Sequence, residues 1–135
     1  MSFRNLLLMG TVLLPLASRA ACVEKDVVGQ WEAKLVGLDK KSVIQCRLIL
    51  TQGLRVSGSC LDLNQPRGSQ VRNALLTLDQ DCHLKMSFWL QPEARREAMF
   101  GLSFFGTMNS ENRTMIGVFT GGKNYDYGSF AAKKK

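Results

Sequence analysis

The chain has 135 residues, 45 % of them hydrophobic and 21 % charged, with 18 Lys and Arg against 11 Asp and Glu. That is room for one domain. The formal net charge of +7 comes from single positions along the sequence rather than from a basic cluster interleaved with aromatics, which argues against nucleic acid as a partner.

Residues 1–20 read as a signal peptide. Arg4 supplies the positive start, Leu6 to Leu16 the apolar stretch, and Ser18-Arg19-Ala20 the small residues of a cleavage site. The apolar stretch is shorter than the roughly 20 residues a membrane span needs. Cleavage after Ala20 leaves one domain, 21–135, with no membrane span and a net charge of +5 once Arg4 and Arg19 are gone. Ala20-Ala21-Cys22 also fits part of a lipidation box. Arg19, where that box needs a Leu-like residue, fits it poorly.

From residue 26 onward the dominant period is two. Trp31, Ala33 and Leu35 alternate with Glu32 and Lys34; Cys46, Leu48 and Leu50 with Arg47; Leu84, Met86, Phe88 and Leu90 with Lys85 and Ser87. Successive strand side chains face opposite sides, so each segment has one face to bury and one for water. Turn-rich breaks divide the chain into about eight strands, near 27–37, 43–51, 54–62, 73–79, 82–90, 98–108, 114–120 and 126–132. Short connections make a meander, and a meander of this size closes into an antiparallel up-and-down barrel. Glycines inside the strands supply the bends a small barrel needs; a two-sheet sandwich is the competing all-β arrangement. Pro92-Glu93-Ala94 also has the composition of a helix start.

All four cysteines follow the leader, and two disulfides are expected in an exported chain. A hairpin that sets Leu50 opposite Val56 also sets Cys46 opposite Cys60, within bonding distance. Cys22 and Cys82 then pair by elimination. No Cys-x-x-Cys occurs and His83 is the only histidine, so no metal site is expected.

No catalytic set emerges. His83 lies opposite the apolar face of its strand, with no positioned partner. Gly121-Gly122-Lys123 sits between strands, not before a helix as a phosphate loop requires. Asp79 and Asp81 flank a turn, as do Asn109 and Asn112, and turn chemistry accounts for them. Neither an enzyme activity nor a cofactor is expected. Asn112-Arg113-Thr114 has the form of a glycosylation acceptor; with a leader of bacterial type, no glycan is expected.

The most specific short motif is Gly29-Gln30-Trp31 at the start of the first strand. A Gly-x-Trp there resembles the calycin superfamily: lipocalins, avidins and the bacterial metalloprotease inhibitors of the Inh type. The resemblance implies an eight-stranded barrel with Trp31 closing one end. Lipocalins pair that tryptophan with a last-strand arginine. This chain has no Arg after Arg113, so a Lys of the terminal Lys133-Lys134-Lys135 run would substitute. In the Inh-type inhibitors the free N-terminal segment enters the protease; here that segment is Ala21 to Asp26, and a disulfide at Cys22 would hold it back.

Three functions follow as expectations, all in the periplasm or outside the cell. One is a barrel binding a small apolar ligand inside, with Trp31, Met86, Phe88 and Phe104 lining the interior and Tyr125 and Tyr127 at a mouth. The second is a protein-binding module, in its sharpest form a protease inhibitor. The third is an accessory envelope protein that docks on a partner through the exposed aromatics Trp89, Tyr125 and Tyr127, since aromatic anchors dominate binding patches.

Overall fold

The computed structural model describes residues 22–63, 68–121 and 126–135, with the side chain of Asp126 excepted. Residues 1–20, expected to be a signal peptide, and Tyr125 lie outside the described residues. Eight strands follow one another: β1 (Gly29–Gly37), β2 (Val43–Thr51), β3 (Arg55–Asp62), β4 (Gly68–Leu78), β5 (His83–Pro92), β6 (Phe100–Asn109), β7 (Thr114–Gly121) and β8 (Asp126–Lys134). Each pairs antiparallel with the next, and β8 returns to pair with β1, so the sheet closes into a barrel. Closure removes the two-sheet sandwich: a sandwich leaves open edges, and here Trp31 to Gly37 lie opposite Lys134 to Gly128.

The period-two pattern becomes a wall with an apolar inside. Leu84, Met86, Phe88 and Leu90 all point inward and are buried, as do Leu102 and Phe104 beside them. No buried residue among those described is polar or charged. Cations stand on the outside at Lys34, Arg47, Arg72 and Lys85. That is the reverse of the polarity of barrels that face lipid. Phe104 is the hub of the core, with Phe88, Phe130 and Phe119 rings at 5.0, 5.3 and 6.3 Å. A Cβ on Gly106 or Gly117 would stand 2.9 or 2.8 Å from the Phe130 ring. These two glycines let the ring lie flat against β6 and β7 and let the sheet coil tightly there.

Both disulfides take the expected pairing. Cys46 is directly opposite Cys60, with Leu50 opposite Val56 in the same register. Cys22 is bonded to Cys82, which consumes the sulfur that lipidation would need. Two disulfides suggest an oxidising, extracellular compartment.

Three boundaries differ from expectation. β4 begins at Gly68, not 73: its first half pairs with Gln91 and Leu90 before a bulge between Arg72 and Leu75, where Asn73 has φ 51°. The bulge shifts the inward parity by one and breaks the alternation. The Pro92 region holds turns and bends, not a helical turn. Pro92 is paired in the ladder with Ser69, and the Glu93 N–H donates to the Gly68 carbonyl at 3.1 Å. A one-turn helix, α1 (Glu24–Val27), precedes β1. The Asp26 carboxylate accepts the Val23 N–H at 3.0 Å and closes that turn.

Candidate functional site

The interior is the first place to look for a site. Trp31, Met86, Phe88 and Phe104 do converge there, with Leu35, Leu48, Met115 and Phe130. The free space among them is about 10 Å³, the threshold for a single water. They pack against one another and enclose no chamber. A ligand of several carbons would have to displace side chains from a core near crystal density.

The end of the barrel at Trp31 is plugged. Trp31 is 1 % exposed, and its indole N–H donates to the Val27 carbonyl at 2.8 Å. Lys134 lies opposite Trp31 on β8. Its ammonium donates to the Asp26 carbonyl at 3.3 Å, and its stem crosses Gly29, where a Cβ would stand 2.7 Å from Lys134 Cε. Gly29 has φ +141°. The Gly-x-Trp spacing thus has a local cause: the glycine makes room for the lysine stem beside the ring. Lys134, of the terminal lysine run, is thus the last-strand cation beside Trp31.

The segment ahead of β1 is fastened by the Cys22–Cys82 disulfide, by the Val27 carbonyl to Trp31, by the Asp26 carbonyl to Lys134, and by the Glu24 carboxylate to the Gly53 N–H in the β2–β3 turn. It closes the barrel end and does not project from it.

Asp79, Asp81 and His83 bring three candidate metal ligands within 4.8 Å of one another, all exposed. Asp79 is already engaged by the turn. Its Oδ1 accepts the Asp81 and His83 N–H groups, both at 2.9 Å. The His83 N–H bond holds its carboxyl below the ordinary range, aided by the imidazole. Turn capping accounts for the group.

The outer wall is not uniform. From β6 to β8 the outward positions are Gly101, Ser103, Phe105, Thr107, Asn109, Thr114, Ile116, Val118, Thr120, Tyr127, Ser129, Ala131 and Lys133. Lys133, at the end of β8, is the one charged residue among these. Phe105, Val118, Ile116 and Tyr127 are exposed by 46, 57, 61 and 61 %. Phe105 is opposite Val118, and Val118 opposite Ser129, which is opposite Val36 on β1, so one uncharged row, apolar but for Ser129, crosses four strands. On the β5 side Trp89, 45 % exposed, lies across Gly101, 3.7 Å from where its Cβ would be. Next to it on β4, Arg72 is held between Gln91 and Gln70 at 3.0 and 2.7 Å. Tyr127 therefore faces outward on this wall and not into a ligand chamber, the opposite of its place in the small-ligand reading. Trp89 on β5 and Tyr127 on β8 are both exposed and outward, with β6 and β7 between them; the third aromatic of the docking reading, Tyr125, lies outside the described residues. Phe105, Ile116 and Val118 are additional to that reading. Phe105 belongs to the alternation of β6, Ile116 and Val118 to that of β7, and only the register sets them side by side.

No known protein-family model matches the chain, and no curated protein sequence is detectably similar to it.

Proposed function

We propose that this chain is an exported, non-enzymatic binding protein with a calycin-type barrel, and that it docks on a protein partner through the outer face of β5 to β8. The observation that carries the reading is the set of exposed apolar side chains Trp89, Phe105, Ile116, Val118 and Tyr127 on that face, where Lys85 and Lys133 are the outward cations. Monomeric proteins rarely leave large contiguous apolar patches to water, and such patches mark interaction sites. Trp and Tyr are the residue types that anchor them.

The two sharper readings have less behind them. An interior ligand would need space that the packed core lacks. Inhibition of the Inh type needs a free N-terminal segment, and here residues 22–27 are fastened to the barrel end.

The test is site-specific photocrosslinking in the producing cells. A photoreactive residue replaces Val118 or Tyr127 and, as controls on the opposite wall, Ser57 or Ser59 of β3. One polypeptide adduct from the first pair and none from the second supports the proposal. Equal adducts from all four positions, or none from any, would refute it.

A further inference from the structure

Charge on this barrel is segregated by place. Among the described residues, the cations Lys34, Arg47, Arg55, Arg72, Lys85 and Lys133 project from the strands to the outside. The only acid that does so is Glu32, and it is bound to Lys135 at 2.7 Å. The remaining described acids sit in α1, in the turns and at the end of β3. The wall thus carries six cations and one acid, whereas α1, the turns and the end of β3 carry nine acids beside Lys25, Lys40, Lys41, Arg95, Arg96 and Arg113, so the positive balance lies on the wall.

The apolar face lies inside this basic wall. A shallow groove runs along β8, floored by Ser129 and Ala131, with Ile116 and Val118 on one bank and Val36 and Lys34 on the other. Lys34 is opposite Ala131 and is the cation that lines the groove. It makes no ion pair among the described residues. Resting on the docking proposal above, we infer that the occupant of this groove is an acidic, apolar polypeptide segment of a different protein. Its apolar side chains cover Val118 and Ile116, and a carboxylate meets Lys34. A second copy of this chain fits less well, because its own matching face would set lysines against lysines, and like charges across an interface oppose association. A lipid surface fits less well because the apolar residues line a depression in the wall, and a flat bilayer cannot fill one.

The test uses the photoreactive residue at position 118 in the full chain, in the producing cells, with two charge variants and one apolar variant. The reversed Lys34→Glu should cut the adduct by about fivefold, and the neutral Lys34→Gln by about twofold, in line with a rim charge of modest worth. Thermal unfolding should stay that of the parent in both, since Lys34 is exposed. Ile116→Asp should remove the adduct with unfolding again unchanged. If Ile116→Asp removes the adduct and charge reversal leaves it, docking stands and the acidic partner is refuted. An adduct of the mass of a second copy refutes the inference as well. No polypeptide adduct in any form, or lipid adducts alone, refutes both this inference and the docking proposal.

Discussion

At Gly29 two independent constraints exclude a side chain. The backbone is at φ +141°, and the stem of Lys134 fills the space where a Cβ would go. Gly29→Ala should destabilise by about 1–3 kcal/mol from backbone strain alone, plus the cost of moving Lys134. Lys134→Ala should weaken the end plug by losing the bond to the Asp26 carbonyl and the packing of its stem. The double variant should be less destabilised than the sum of the singles, because the steric part disappears while the strain remains. A double-mutant cycle in urea measures this, and strict additivity would contradict the contact. A second residue-scale effect concerns turns. Asp39 and Asp79 cap the β1–β2 and β4–β5 turns, and backbone N–H groups hold both carboxyls below the ordinary range: chiefly that of Ser42 for Asp39 and that of His83 for Asp79. A group with a lowered folded pKa stabilises fully above its unfolded pKa, about 4 for Asp, and loses that contribution as pH falls through the folded value. Melting temperature should be flat from neutral pH to about 5 and fall below 4. Asp79→Ala should melt lower at neutral pH and converge on the parent at the acid end. Parallel curves would show that the cap contributes nothing to the acid transition.

Among the elements, β1, β2 and β5 were legible because each is an unbroken alternation with strong apolar residues on one side. The Cys46–Cys60 pairing was legible for the same reason: once Leu50 faces Val56, arithmetic along the hairpin puts the cysteines together. The first half of β4 was not legible. Gly68-Ser69-Gln70 has the composition of a loop, and the bulge at Asn73 breaks the parity that would have joined the two halves. Helix α1 was not legible either, since four residues carry no period. It exists because Asp26 reaches back to Val23 and because the disulfide and Trp31 hold it in place. The two disulfides consequently differ in what they support. Cys46–Cys60 spans 14 residues of one hairpin and Cys22–Cys82 spans 60. In the chain-entropy treatment these are worth about 3 and about 4 kcal/mol. Replacing Cys22 and Cys82 by Ser should cost the larger amount in urea unfolding. It should also release α1, seen as faster hydrogen exchange at the Trp31 indole N–H with the β1–β8 ladder still protected. Unchanged exchange at Trp31 would mean that the Val27 and Glu24 contacts hold the plug without the disulfide.

At the scale of the whole molecule, the barrel could be read from the pattern, but neither the fullness of its interior nor the character of its outer face could. Both depend on closure. Alternation gives the inward residues of each strand, and closure decides whether their combined volume fills the space inside. Likewise the outward Phe105, Val118 and Tyr127 are far apart in sequence and become one surface only when β6, β7 and β8 pair. The filled interior has a consequence that separates the docking and small-ligand readings. Phe104 touches three other rings at the centre, so Phe104→Ala should remove the hub of the core. The expected cost is about 3–5 kcal/mol, and the vacancy, lined by apolar groups, should stay dry and accept a small apolar probe such as benzene. The parent protein should take up neither benzene nor a fluorescent fatty acid at one equivalent, because about 10 Å³ admits neither. Calorimetric titration of both proteins with both probes makes the comparison. Uptake by Phe104→Ala alone is what a packed barrel requires. Uptake of the fatty acid by the parent would mean that the core opens readily in solution, and the interior would then replace the outer wall as the binding site.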